Sequence, residues 1–337
     1  MATSVEEKIV DLEKDHFYDT GKVNVDGSIL KCWKPGGHGH QTFLQVLENS
    51  CNPGFVKLGQ TLGKEKLFSY INKFGFGKKT GIDLNGEAKG IIFNLEKVGN
   101  VELSTTAFGQ GISVTPIQQV KAVSAVVNNG KLYTPYIVKN ISDTQTNTII
   151  KENKSHLENK VISNKTSKIM RKALESVVAK GGGKSAYIEG YRIGGKTGTA
   201  QKVENGKYLV GNYIMSFMAV VPSNNPKAVL YLAIDNPKNT ALLSSYTTTP
   251  IARRILLDII ESLNIEKQQN QIDKDLEWTD KKMYKVPNVV GKTVEDAKKE
   301  LTNFTIEYTG TGKKVISQSP AANEKIEENA TVRLLLK

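Results

Sequence analysis

Three strand-like runs succeed one another late in the chain: 191–201, 213–221 (YIMSFMAVV) and 228–234 (AVLYLAI). Gly, Asn and Pro turns join them, as in an antiparallel sheet. A helical stretch, 249–263 (TPIARRILLDIIESL), closes the run, and most of the apolar periodicity before residue 190 is helical. Strands grouped between helices, without regular βαβ alternation, predict α+β layers: an antiparallel sheet flanked by helices.

The earlier elements can be placed by local chemistry. VNVDGSILKCW (23–33) alternates around Asp26-Gly27 and reads as a hairpin. Phe43, Val46 and Leu47 recur at helical spacing up to SCNPG; a second helical stretch carries Phe55, Leu58 and Leu62, and a third, KEKLFSYINKFGFG, ends at glycine. Over 109–130, Thr115 is the expected N-cap, with Pro116 in the first helical position and Gln118 completing a capping box. The expected apolar stripe there is Ile117, Val120, Ser124 and Val127. A further amphipathic helix, within 163–183, places Met170, Leu174 and Val177 on one face.

After residue 263 the composition changes. Residues 264–282 are polar and poor in apolar side chains, as a linker is. Residues 283–337 then read as a small α/β unit: a turn, a short helix with Ala297 and Leu301 inward, and strands ending in ATVRLLLK. The expected division is therefore 1–263, a linker over 264–282, and 283–337.

Charge excludes some functions. The 337 residues carry a net charge of +12, of which +10 lies before residue 283 and +2 after it, with no basic run. That describes a lysine-rich solvated surface, suited to an anionic wall or membrane, and not a nucleic-acid binder. No run of eighteen apolar residues is present, and MATSVEEKIV lacks the apolar core of a signal peptide, so no export or membrane signal is expected. Two cysteines and four histidines leave neither a disulfide scaffold nor a four-cysteine zinc site. His38 and His40, in PGGHGH, read as part of a glycine-rich loop; no metal and no cofactor is expected. GGGKS (181–185) is not a phosphate loop, since the glycine required five positions before Gly183 is Val178.

Two short motifs carry chemistry. IGGKTGTAQ (193–201) sets Lys196 on a strand, with the Thr197 and Thr199 hydroxyls able to hold a carboxylate and Gly198 leaving the backbone open to a peptide. SCN places a serine hydroxyl (Ser50) and an amide (Asn52) between two helices, and its order before the lysine strand lifts it above a common turn.

These two motifs, with GQGISVTPIQ between them, resemble the penicillin-binding proteins and their serine β-lactamase relatives. CWKPGGHGHQTF, NSCNPGF and FGFGKKTGIDLNGEAKG are similar to the class B D,D-transpeptidases, most of all the sporulation type, and VPNVVGKTVEDAKKEL resembles a PASTA domain, a wall-binding module. The resemblance implies a penicillin-binding transpeptidase fold that cross-links peptidoglycan stem peptides in the spore cortex and binds β-lactams. It further implies an extracytoplasmic location, and a membrane anchor in the full-length family. Lys196, Thr197 and Thr199 would bind the substrate carboxylate, the Thr199 N–H would serve an oxyanion hole, Ser50 would shuttle protons and Asn52 would bind the donor amide.

The family's nucleophile lies in Ser-x-x-Lys at the start of a helix. The one match here, Ser28–Lys31, falls in the predicted hairpin, where positions i and i+3 face opposite ways. The chain therefore reads as truncated just after its nucleophile, with a non-catalytic wall-binding remnant as the alternative. Cys32 and Cys51 are either unrelated buried thiols or a disulfide that would displace Ser50 and Asn52, a redox switch opened by a thioredoxin-like reductase.

Overall fold

The computed structural model describes residues 1–204, 207–237, 244–275, 283–327 and 330–337. A short helix α1 (Ala2–Glu6) and strand β1 (His16–Asp19) lead into the hairpin of β2 (Lys22–Val25) and β3 (Ser28–Lys31). Asp26 and Gly27 both take positive φ, 48° and 84°, the turn whose twist suits an antiparallel pair. Ser28 and Lys31 belong to β3, where burial alternates, so they do not share a face. Strand β4 (Gly39–Thr42) returns antiparallel to β1.

Helices α2 (Phe43–Glu48), α3 (Asn52–Leu62) and α4 (Lys64–Lys73) follow, then α5 (Asn100–Ala107) and α6 (Pro116–Val127). Phe43, Val46 and Leu47 are buried as their spacing requires, and α4 ends at Phe74 ahead of Gly75, φ 84°. The α6 capping box forms: the Gln118 N–H donates to Thr115 Oγ1, and the Thr115 N–H to Gln118 Oε1. The expected stripe on this helix is corrected. Of its four residues only Val127 is fully buried, and the deep row is Gln118, Lys121, Ala122 and Ala125. The two polar side chains sink because they find partners. Gln118 Nε2 donates to the Lys78 and Lys89 carbonyls, and Lys121 Nζ meets Glu158 at 2.6 Å. Hydropathy spacing cannot register that compensation.

Two small antiparallel pairs come next, β5 (Lys131–Tyr133) with β8 (Leu157–Lys160), and β6 (Asn140–Ser142) with β7 (Ile149–Glu152). Helix α7 (Asn164–Lys180), capped by Ser163, buries Met170, Leu174 and Val177. The main sheet is antiparallel, with β10 (Lys207–Val221) between β9 (Gly194–Glu204) and β11 (Ala228–Asp235). Helices α8 (Ser244–Thr247) and α9 (Thr249–Ser262) complete this part. Phe217, Ala219 and Val221 of β10 pack with Ala252, Leu256 and Ile260 of α9, while Val220 joins Val127 of α6 and Leu174 of α7. A strand covered on both faces accounts for the unbroken apolar run at 217–221.

Residues 264–275, within the stretch read as a linker, are tied down. Ile265 joins the α9 core, Gln271 Nε2 donates to the Ile188 and Tyr191 carbonyls, and the Ile272 N–H donates to Glu175. Residues 276–282 lie outside the described residues.

The C-terminal unit has its own core around Val286, Val289, Ala297, Leu301 and Val332. It comprises β12 (Met283–Lys285), α10 (Val294–Glu300), β13 (Thr305–Thr309), β14 (Val315–Ser319), β15 (Lys325–Glu327) and β16 (Thr331–Leu336). Strand β16 pairs parallel with β13 and antiparallel with β14, and β12 pairs with β15. Ala297 and Leu301 are fully buried, on the inward face their spacing predicts.

Candidate active site

Ser50 is the middle residue of the turn Asn49-Ser50-Cys51 between α2 and α3, with φ 52°. A non-glycine residue there is strained by about 1–3 kcal/mol unless its surroundings hold it. The Ser50 N–H donates to the Leu47 carbonyl, the Cys51 N–H donates to the Val46 carbonyl, and Pro53 sits in the first turn of the next helix. The strain directs the Ser50 hydroxyl toward β9, where Lys196 Nζ donates to Ser50 Oγ at 2.8 Å and to the Thr197 carbonyl at 3.0 Å. Burial pushes the Lys196 ammonium down to about 8.

Strand β9 is an edge strand among the described residues, since β10 is its one neighbour. Gly195 and Gly198 lie inside this strand for steric reasons. A Cβ at Gly195 would stand 2.4 Å from Phe217 Cζ, and one at Gly198 would stand 2.6 Å from Ser216 Oγ. The expectation for Gly198 named only an approaching peptide; its neighbour within the sheet also requires the glycine. Thr199 Oγ1 shares a 2.6 Å hydrogen bond with Ser244 Oγ, which also lies 2.5 Å from the Gly198 carbonyl. Gln110 Nε2 comes within 3.5 Å of the Thr199 carbonyl. A Cβ at Gly182 would lie 3.4 Å from Thr197 Oγ1, so the 181–183 glycines form a wall beside the motif.

Asn52 is oriented differently from Ser50. Its Nδ2 donates to the Lys31 carbonyl at 3.0 Å, tying the start of α3 to hairpin strand β3. The structure thus brings Ser50, Lys196, Thr197, Gly198 and Thr199 together and leaves Asn52 Oδ1 as that side chain's accepting atom. Ser28 takes no part in this group. Sequence reasoning missed Gln110 and Ser244. Gln110 stood in the quoted GQG, and Ser244 in the Ser-Ser pair that starts α8, but neither spacing points to β9.

A second cluster lies one peptide away. Asp19, Cys32, His38 and Cys51 have ligating atoms all within 4.8 Å of one another. His38 lies in the glycine-rich loop, as read, but its side chain is engaged: its Nδ1 is 2.9 Å from Asp19 Oδ2 and 3.4 Å from Cys32 Sγ, and the side chain is 5 % exposed. His40 stacks on His16 instead. The two cysteines are free thiols, yet they are neighbours and not unrelated. A hydrogen bond from the Cys51 thiol, opposed by burial and helped by His38, brings Cys32 down to about 5; the same bond and burial push Cys51 up. Burial raises the Asp19 carboxyl, but hydrogen bonds from the Gly21 N–H and from His38 outweigh it and bring it to about 2. Nothing in HFYDTGKV singles out Asp19; only the fold joins it to residues so distant in sequence.

This architecture can be compared with known proteins. The family model of the penicillin binding protein transpeptidase domain matches residues 1–260, and that of the PASTA domain matches 284–337. The chain belongs to the penicillin-binding transpeptidases. Among relatives, it is 54% identical to Stage V sporulation protein D of Bacillus subtilis (strain 168), over 100% of this chain and 52% of that protein. It is 33% identical to the peptidoglycan D,D-transpeptidase FtsI homolog of Mesostigma viride, over 77% of this chain and 47% of that one. The chain thus spans about half the length of the curated relatives it matches. Among solved penicillin-binding proteins, penicillin binding protein 3 from Mycobacterium tuberculosis, complexed with ampicillin, superposes with a TM-score of 0.73 at 24% identity, covering 80% of this chain and 61% of that one. Penicillin Binding Protein 2X from Streptococcus thermophilus gives 0.69 at 22% identity, over 100% of this chain and 50% of that one. These likenesses establish the α+β penicillin-binding transpeptidase fold. No helix among the described residues is long and apolar enough to cross a membrane.

Proposed function

We propose that residues 1–263 carry the carboxylate-binding and proton-relay side of a D,D-transpeptidase site, that 264–282 are the connection, and that 283–337 are a PASTA unit turned to the cell wall. The observation that carries this reading is the 2.8 Å contact of Lys196 Nζ with Ser50 Oγ beside the open edge of β9. A stem peptide ending in D-alanyl-D-alanine adds to that edge as an extended strand. Its carboxylate meets the Lys196 ammonium and the Thr197 and Thr199 hydroxyls, and Asn52 Oδ1 accepts an N–H of the donor peptide. The Thr199 N–H is one donor to the oxyanion. Ser50 passes a proton between Lys196 and the departing or entering amine. The attacking hydroxyl belongs to neither Ser28, which sits on a strand, nor Ser50, which serves as the relay. β-Lactams occupy the same cleft. The reaction takes place outside the cytoplasmic membrane, during spore wall synthesis.

The pairing of Cys32 with Cys51 supports a control on this site. Oxidation to a disulfide passes two protons and two electrons to a partner disulfide, which leaves as the dithiol. It would draw Cys51 toward the hairpin and shift the adjoining Ser50 and Asn52; a thioredoxin-like reductase would reverse it.

The test is incubation with a penicillin, read by intact mass and by equilibrium binding of a D-alanyl-D-alanine peptide. The expected result is reversible binding, weakened in Lys196→Ala, with no stable adduct on this chain while a control transpeptidase is labelled. An adduct mapped to Ser50 or Ser28 overturns the relay assignment, and absence of peptide binding overturns the substrate reading.

A further inference from the structure

The Asp19–Cys32–His38–Cys51 cluster has a use that acyl transfer does not require. Its four donors come from four separate places: the end of β1, the residue after β3, the glycine-rich loop, and the N-cap of α3. They turn inward onto one another. Asp19 Oδ2 lies 2.9 Å from His38 Nδ1 and 3.3 Å from Cys51 Sγ, and His38 Nδ1 lies 3.4 Å from Cys32 Sγ. The outer ring nitrogen, His38 Nε2, is buried with no hydrogen-bond partner. A tetrahedral zinc ion with ordinary bonds to sulfur, nitrogen and oxygen needs donor–donor edges of about 3.3–3.8 Å. Each of the three measured edges reaches that range by opening about 0.5 Å or less.

We propose that Asp19 Oδ2, Cys32 Sγ, His38 Nδ1 and Cys51 Sγ form a closed, four-coordinate site for a zinc ion when both cysteines are reduced. The donor set decides the metal: two thiolates with an imidazole suit zinc and disfavour the oxygen-seeking calcium and magnesium. Binding displaces the proton held on Cys51 Sγ and that on His38 Nδ1 and releases them to solvent, with Cys32 entering as the thiolate. The outer support exists, since the Gly21 N–H donates to Asp19 Oδ1 at 2.7 Å and fixes the carboxylate. Half-buried Cys32 offers the way in. The ion would clamp the hairpin to the N-terminus of α3 and so hold Ser50 in its strained turn. Zinc and a Cys32–Cys51 disulfide exclude each other, because both use the same two sulfurs. The inference needs only these four side chains and stands apart from the transpeptidase reading.

The experiment uses the whole chain, reduced, equilibrated with zinc alone, desalted, and assayed for bound metal and for affinity against a chelating indicator. One zinc per chain is expected. Affinity should fall at least about 100-fold in Cys51→Ser and His38→Ala, beyond the 10–100-fold typical of outer-shell changes, and stay unchanged in His40→Ala. On the unaltered protein, where folding of a variant is not in question, zinc should slow Cys32 alkylation at least tenfold, and chelation should restore it. Zinc that washes off completely, uptake equal in all variants, or alkylation indifferent to zinc would each overturn the site.

Discussion

Lys196 Nζ donates to Ser50 Oγ over 2.8 Å although 146 positions separate the two residues. The contact fixes what pH should do to ligand binding. Burial lowers the ammonium from 10.5 to about 8, so Lys196 is charged below that pH and neutral above it. Affinity for a carboxylate ligand should hold steady at pH 6–7 and fall as pH rises through about 8. A hydrogen bond to a charged group is worth about 1.5–3 kcal/mol, so Lys196→Ala should bind about 10–100-fold more weakly and show no step near pH 8. Calorimetric titration with a D-alanyl-D-alanine peptide across pH 6–9 checks both statements.

The two thiols should react very differently. Cys32 is brought to about 5 by the Cys51 thiol and by His38, while Cys51 is buried and raised. Iodoacetamide should therefore modify Cys32 first, at a rate nearly flat from pH 6.5 to 8.5, because the thiolate is already formed there. An ordinary cysteine would speed up steeply over the same range. Removing the Cys51 donor by Cys51→Ala should restore that steep dependence. Peptide mapping of the alkylated protein separates the two sites, and a rate that rises tenfold per pH unit in the unaltered protein would refute the assignment.

Much of this arrangement was legible before folding. The antiparallel strands of the main sheet, the hairpin at Asp26-Gly27 and the Thr115 cap follow from local rules, and the resemblance of SCN and KTG to the family named Ser50 and Lys196 as members of one site. What was not legible depends on compensation or on distance. Gln118 and Lys121 are buried because carbonyls and Glu158 receive them, so hydropathy spacing misplaced the deep face of α6. Asp19 reaches His38 and Cys51 only through the return of β4 along β1. Ser244 reaches Thr199 only because α8 follows the sheet and packs beside it.

The glycine pair ahead of Lys196 makes a prediction about stability. A methyl group at Gly195 would overlap the Phe217 ring at 2.4 Å and the Met218 carbonyl at 2.8 Å, and Phe217 is fully buried between β10 and α9. The ring has nowhere to move without displacing Leu256 or Ala252. Gly195→Ala should thus cost about 1–3 kcal/mol, the usual penalty for overpacking a core. Gly27→Ala makes a useful contrast: nothing lies within 4 Å of the added carbon, and only the φ of 84° is unfavourable. Urea unfolding of the two variants should give the larger loss for Gly195→Ala.

Glu175 on α7 is 2 % exposed and receives three hydrogen bonds from Arg192, at 2.8, 3.0 and 3.1 Å. Ser223 Oγ adds a 2.5 Å bond and the Ile272 N–H one of 3.1 Å. Arg192 itself keeps 22% of its side-chain surface exposed. The asymmetry sets the order of the variants. Arg192→Ala strands a carboxylate in the interior and should cost about 3–5 kcal/mol, as breaking a buried pair does. Glu175→Ala leaves a guanidinium that can turn to water, so its cost should be smaller, and the double variant should cost less than the two single losses added together. Glu175→Ala should also free residues 270–275, since Ile272 loses its acceptor. Limited proteolysis should then cut there faster than in Arg192→Ala, where Glu175 still holds the Ile272 N–H. Equal cutting in the two variants would show that Gln271, with its bonds to the Ile188 and Tyr191 carbonyls, anchors the segment without help from Glu175.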